Sequence, residues 1–238
     1  MGQGVVDKLI IWDFDGTLAY RDGMWGGTLI EILQERLPEI EFSLADLGPY
    51  LQSGFPWHTP EVSHKEIQDA NAWWEMLTPI FERALMGVGL IDSQAAELAS
   101  LVPAQFCKPD KWHLFDDTLN TLTDLSRHHW SHVILSNHVP ELESIVEALG
   151  IASFFERIFT SAKIGFEKPH PGAFRTALEA FPQASNIWMI GDNPVADVKG
   201  AEENDIPAIL VRTKGENVTR QCDNLQEMKV ILGLGLPG

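Results

Sequence analysis

The sequence predicts an α/β fold, a doubly wound parallel sheet carrying a helical insert after its first strand. Three observations carry that prediction. Five short apolar runs stop abruptly at polar or small residues, as strands buried on both faces do. Helical patterns separate the later runs, the alternation that right-handed βαβ units require. Between the first run and the second lie over 100 strand-poor residues, far more than one crossover helix uses.

The strand candidates are LIIW (9–12), HVILS (132–136), RIFTS (157–161), NIWMI (186–190) and AILV (208–211). DDTLNTLTDLSRHH (116–129) places Leu119, Leu122 and Leu125 on one helical face. VPELESIVEALG (139–150) has Pro140 near its start and Gly150 as its stop. HPGAFRTALEAF (170–181) and NPVADVKGAEEN (193–204) supply two more helices. The long intervening segment shows helical patterns at 28–37, 64–87 and 92–101, with Trp25, Trp57, Trp73 and Trp74 inside it and Trp112 just beyond. The division predicted is a core of residues 1–19 and 107–238, with a helical second domain over 20–106. The ending GLGLPG (233–238) matches a dinucleotide fingerprint in letters alone, since no helix follows it, and reads as a loose tail.

Composition bounds the partners. Hydrophobic residues make up 45% and charged ones 21%, ordinary for a soluble globular chain. With 17 Lys and Arg against 34 Asp and Glu, the net charge is −17, which argues against a nucleic-acid partner. No apolar run approaches the ~20 residues that span a bilayer, so no membrane partner is expected. Asp7, Lys8, Asp13 and Asp15 interrupt any signal-peptide core, and Gly2 opens no myristoylation signal because Val6 stands where Ser or Thr is needed. Cys107 and Cys222 match no metal or redox spacing. A cytoplasmic location is the expectation. The histidines of RHHWSH (127–132) read as a solvated helix end, and His170 either faces substrate or begins the helix at Pro171. The insert tryptophans read mainly as core, with Trp25 and the GFPWHTP loop (54–60), including His58, as the better candidates to touch a substrate.

In an open parallel sheet, ligands bind beyond the carboxyl ends of the strands. Asp13 and Asp15 follow the first strand, and Ser136 and Asn137 end the second. Lys168 follows the third, and Gly191, Asp192, Asn193 and then Asp197 follow the fourth. Four carboxylates, a lysine and a hydroxyl therefore converge on one edge. Acids so crowded repel one another unless a hard cation lies among them, and Mg²⁺ suits oxygen ligands beside a phosphate. The lysine and the hydroxyl then answer to an anionic substrate group, with phosphate the best fit.

The motifs DFDGT (13–17), LSN (135–137), EKP (167–169) and GDNPVAD (191–197) resemble, in order and spacing, those of the haloacid dehalogenase superfamily. The resemblance covers roughly 6–20 and 108–215, and the insert looks like the family's helical cap of the first type. It implies a Rossmann-like core and Mg²⁺-dependent hydrolysis of a small phosphorylated metabolite. Carried over residue by residue, Asp13 is the nucleophile that forms an aspartyl-phosphate, and Asp15 the general acid and then base. Thr17, Ser136 and Asn137 hold phosphate oxygens, and Lys168 offsets charge on the transferring group and steadies Asp13. Asp192 is a metal ligand with Asp13 and the carbonyl of Asp15, and Asn193 or Asp197 completes the shell or holds it from behind. Gly16 and Gly191 permit tight turns beside the ion.

The same scaffold hosts other reactions. Dehalogenases of the family lack the second acid and need no metal, so Asp15 with Asp192 argues against them. Phosphonate-cleaving members use a cap lysine as a Schiff base and also lack that acid; here the only lysine between 20 and 107 is Lys65. A phosphomutase on a sugar phosphate is the alternative to a phosphatase, although AYRDGMWGGT (19–28) lacks the histidine such mutases usually carry. A non-catalytic binding protein on a decayed scaffold is a third reading. Monomer and homodimer are equally compatible with the sequence.

Overall fold

The computed structural model describes residues 6–67 and 69–234; Gly2 and the tail beyond Leu234 lie outside them. In chain order the strands are β1 (Lys8–Trp12), β2 (Ala19–Arg21), β3 (Trp112–Leu114), β4 (Ser131–Ser136), β5 (Phe155–Thr160), β6 (Asn186–Gly191), β7 (Ala208–Val211) and β8 (Gln221–Cys222). Six of them form one sheet in the order β5-β4-β1-β6-β7-β8, every pair parallel. The chain builds β4 and β5 to one side of β1 and then returns to lay β6 on the other. That reversal puts a crevice at the carboxyl end of β1, where such sheets bind ligands.

The apolar runs are continuous because both faces of the sheet are covered. Ile10, Trp12, Ile134, Ile190 and Ile209 point into one core, while Leu9, Ile11, Val133, Met189 and Leu210 point into the other. The period of two is intact, with both sides of the central strands apolar, while β5 at the sheet edge exposes Glu156 and Arg157.

The helices of the intervening segment are α1 (Met24–Arg36), α2 (Leu44–Leu47), α3 (Ala70–Gly87), α4 (Asp92–Ala99) and α5 (Val102–Phe106). Those of the sheet region are α6 (Thr118–Arg127), α7 (Leu142–Ala148), α8 (Ser161–Ile164), α9 (Pro171–Ala180), α10 (Gly200–Glu202) and α11 (Leu225–Ile231). Ala173, Phe174 and Ala177 of α9 and Ala201 of α10 cover one face. Leu122 and Leu125 of α6, Ile145 of α7 and Met228 of α11 cover the other. That second core continues through Trp12, Phe14 and Leu18 into Trp112, Phe106 and Trp73, so the helices of the insert share it.

The chain leaves the sheet region through β2 and returns through β3, an antiparallel ribbon pairing Ala19 with Leu114 and Arg21 with Trp112. Strands of three residues carry no readable period, so the sequence does not announce this pair. The helical pattern expected from 64 begins instead at Ala70, because the Asp69 carboxylate accepts the Ala72 N–H at 2.9 Å and caps the helix there. α1 begins at Met24 rather than 28; Gly26 and Gly27 disguise its first turn. His132 belongs to β4, not to a solvated helix end: it is buried and accepts the Trp12 indole N–H at 3.0 Å. His170 caps α9, its Nδ1 accepting the Gly172 N–H at 2.9 Å. Among the described residues no helix is long and apolar enough to cross a membrane.

Candidate active site

β1 ends at Trp12, and the Asp13 N–H donates to the Ile190 carbonyl of β6 at 2.9 Å, so the ladder carries Asp13 to the end of the sheet. The chain then turns on itself, with the Leu18 and Ala19 N–H groups donating to the Phe14 carbonyl at 2.9 and 3.0 Å. Gly16 sits in this turn with φ 82°, and a Cβ there would stand 2.4 Å from Asp192 Oδ2. Only glycine meets both conditions. At Gly191 a Cβ would strike the Asp197 carboxylate at 2.1 Å, so the second loop is equally tight.

One carboxylate oxygen organises the floor of the site. Asp13 Oδ1 accepts from Ser136 Oγ at 2.8 Å and from Lys168 Nζ at 2.8 Å. Lys168 also donates to Asp197 Oδ1 at 2.5 Å, and all three charged groups are buried. Burial pulls the lysine's pKa down, but Asp13 and Asp197 outweigh it and hold the ammonium above its ordinary range. Asn137 fixes the same lysine from its backbone: Oδ1 accepts the Lys168 N–H at 2.7 Å, and Nδ2 donates to the Lys168 carbonyl at 2.9 Å. The Asn137 side chain is thus spent on positioning Lys168.

The loop after β6 forms a wide turn, because the Val198 N–H reaches the Asn193 carbonyl five residues back at 3.3 Å. This turn brings Asp197 inward, where its Oδ2 accepts the Asn193 N–H at 2.9 Å. Asn193 itself is exposed, and its side-chain oxygen accepts from the Val195 and Ala196 N–H groups. It caps the turn. Thr17 is fully buried, its hydroxyl 3.5 Å from Asp192 Oδ1, and its carbonyl accepts from Arg212 Nε at 2.9 Å. Arg212 and its partner Asp117 carried no sequence signal, because they act from behind the loop.

The acids are poorly compensated. Burial, then Asp13, Asp197 and Asp15, push Asp192 up to about 8. Burial and the charge of Asp13 push Asp15 up to about 7, against the opposing hydrogen bond from Gly16. Asp13, Asp192 and Asp197 each offer an oxygen within 4.8 Å of one another. A cluster of hard oxygen donors that resist ionising together has the chemistry of a divalent-cation site. Asp13 and Asp192 have an oxygen to give; Asp197 already serves Lys168 and Asn193, which makes it a brace behind them.

A cavity of about 470 Å³ opens over this floor, lined by Asp13, Asp15, Asp192, Asp197, Lys168 and Ser136 below. Trp25, Trp57, Phe106, Met24 and Pro60 of the intervening segment line its other side, with Val139 and His138. The exposed His58 lies outside that lining. His138 is buried against Phe14, Phe106 and Trp112, and burial lowers its pKa to about 4.

Next to Lys168, Glu167 is completely buried and meets His64 of the intervening segment, Oε1 to Nε2 at 3.2 Å. Burial lifts Glu167 to about 7, with Ser161 and Lys168 opposing. Burial likewise lowers His64, against the opposing charge of Glu66. The His64 N–H donates to the Gly165 carbonyl at 3.0 Å, so this stretch is fastened to the loop that carries Lys168.

The model of a haloacid dehalogenase-like hydrolase matches residues 8–205. The phosphoserine phosphatase of Thermus thermophilus is 35% identical over 135 residues, 56% of this chain and 53% of that one. The glyceraldehyde 3-phosphate phosphatase of Methanothermobacter thermautotrophicus is 30% identical, over 62% of this chain and 66% of that one. The chain thus spans about half the length of the first relative and just under two thirds of the second. Among solved structures, the HAD-hydrolase YfnB of Bacillus subtilis bound to magnesium superposes with a TM-score of 0.74 at 22% identity, covering 95% of this chain and 99% of that one.

Proposed function

The chain belongs to the haloacid dehalogenase-like hydrolases, and we propose that within them it hydrolyses a small phosphorylated metabolite through an aspartyl-phosphate on Asp13. The observation that carries this reading is the grip on Asp13 Oδ1 by Ser136 and Lys168, both at 2.8 Å. Two donors on one oxygen fix the carboxylate's orientation at the strand end, where the nucleophile must be held. Two relatives named as phosphatases support the same class of reaction.

Asp13 attacks phosphorus, the bond to the leaving oxygen breaks, and that oxygen takes a proton from Asp15. Burial of Asp15 at the cavity floor favours its protonated form, which suits a group that must hold a proton at the start and give it up. Asp15 then removes a proton from the water that attacks the phosphorus of the aspartyl-phosphate, releasing inorganic phosphate and restoring Asp13. Lys168 and Ser136 face charge on the transferring group, with the buried Asp197 keeping the ammonium in place. Asp13, Asp192 and the carbonyl of Asp15 would hold Mg²⁺, which supplies positive charge to the phosphoryl oxygens. The second acid and the three-aspartate cluster weigh against a dehalogenase. Residues 20–106 act as a cap that closes over residues 1–19 and 107–238, excluding water.

Phosphate release from a metabolite panel, with Mg²⁺ and with EDTA, tests the reading on the native chain and Asp13→Asn. Expected is metal-dependent release that falls by about 10⁴-fold or more in the variant. Release that survives in Asp13→Asn, or phosphate moved within a substrate without release, overturns it.

A further inference from the structure

The two sides of the cavity differ in kind, and the difference bears on what leaves with the oxygen. Facing the aspartates is a wall of rings. Trp25 lies flat on Phe106, centroids 4.0 Å apart and planes at 8°, and is near-parallel to Trp57 at 6.0 Å and 18°. Trp57 in turn stacks on the buried Phe55 at 4.6 Å and 9°. Rings held by rings have little rotational freedom left to lose, so this face is formed before any ligand arrives.

Charge is distributed just as unevenly. Lys168 is the only lysine or arginine among the lining residues, and its ammonium is already shared by Asp13 and Asp197. Arg21 approaches Phe106 from behind, 5.7 Å from the ring centroid, but it is buried and bound to Glu31 at 2.7 Å. His138 is held neutral by its burial. A carboxylate in the leaving group, turned toward the ring wall, would therefore find no lysine or arginine there to receive it, an unfavourable placement.

We propose that the wall of Trp25, Trp57 and Phe106 makes this cavity selective for phosphomonoesters whose leaving group presents a flat apolar face, and discriminates against those bearing a carboxylate. This deepens the phosphatase reading and rests on it. The 470 Å³ available suits a phosphate with one ring attached. Selectivity here has a repulsive part as well as an attractive one: the rings favour a ring, and an acid desolvated against them is left without a partner.

The test is steady-state hydrolysis by the full chain with Mg²⁺ of three probes: phenyl phosphate, phosphoglycolate and acetyl phosphate. Phenyl phosphate carries the uncharged ring, phosphoglycolate a carboxylate, and acetyl phosphate reports the phosphoryl chemistry with little leaving group to recognise. Phenyl phosphate is expected to exceed phosphoglycolate by about 10-fold or more in kcat/KM. Trp25→Ala and Trp57→Ala should lower kcat/KM for phenyl phosphate about 10-fold, chiefly by raising KM, with a smaller fall for acetyl phosphate. If those variants do not fold, Met24→Lys decides, since it places a cation on the cavity wall and should raise kcat/KM for phosphoglycolate about 10-fold. A native preference for phosphoglycolate overturns the proposal, as do folded tryptophan variants that keep the native preference, or a Met24→Lys chain that gains nothing on phosphoglycolate. Failure of all three probes, acetyl phosphate included, would instead overturn the phosphatase reading beneath it.

Discussion

The floor of the cavity and its wall are built on opposite plans. Every charged group of the floor stands on or just beyond the end of a strand or in a loop clamped to one. Asp13 and Lys168 lie 155 positions apart in sequence yet meet at 2.8 Å. The wall has no such scaffold; Trp25 is on α1, Phe106 ends α5, and Trp57 sits in the single 3₁₀ turn Pro56–His58, held mainly by one another. A floor fixed by backbone can keep one chemistry unchanged, while a wall fixed by side-chain packing can be altered without touching it. This contrast predicts that damage to the floor appears in kcat and damage to the wall in KM.

Lys168→Ala should show the largest such effect, lowering kcat by about 10²–10³-fold in phosphate-release assays. It also leaves Asp13 and Asp197 buried without their shared cation, which should cost about 3–5 kcal/mol in urea unfolding. A kcat within about 3-fold of native, with the loss in KM alone, would erase the contrast between floor and wall.

Glu167 joins the two regions, since it precedes Lys168 and touches His64. Its pKa in the folded chain, about 7, lies above its ordinary 4.5. Its favourable contribution is therefore fully present below pH 4.5 and is lost as pH rises through 7. Glu167→Gln, which cannot ionise, should be the more stable chain at pH 8, by an amount on the order of 3 kcal/mol, with the advantage shrinking toward pH 4.5. Urea unfolding at several pH values reads this directly; a difference independent of pH would mean that Glu167 is not held protonated by burial.

The smallest effect belongs to His170, which lies near the floor in sequence but caps α9 and stacks on Phe166 in this structure. His170→Ala should cost about 1 kcal/mol of stability and leave kcat/KM within about 2-fold of native. A 10-fold fall in kcat/KM would place the ring against substrate.

Much of the floor was legible before any coordinates. Apolar runs buried on both faces announce parallel strands, and acids at their ends have no structural reason to gather there. Asp13, Asp15, Ser136, Lys168, Asp192 and Asp197 could be picked out on those grounds, and all of them line the cavity. What the sequence could not disclose was which atoms each would face. Asn137 turns its amide onto Lys168, and Asn193 turns its oxygen onto a helical turn, because side-chain direction depends on loop geometry that no motif spells. The β2–β3 ribbon, at three residues a strand, was too short to show a period. Phe106 and Met24 were hidden for a different reason. An aromatic or a methionine in a helical pattern reads as core, and the distinction between core and cavity wall exists only once the helices are packed.

The most direct test of the account is to trap the acyl phosphate itself. The native chain, quenched within its turnover time in the presence of Mg²⁺ and substrate, would be treated with borohydride, which reduces an aspartyl-phosphate to homoserine. Peptide mass spectrometry then locates the modified residue. The account predicts homoserine at position 13, dependent on substrate. Phosphate release with an unmodified Asp13, or homoserine at another aspartate, would contradict it.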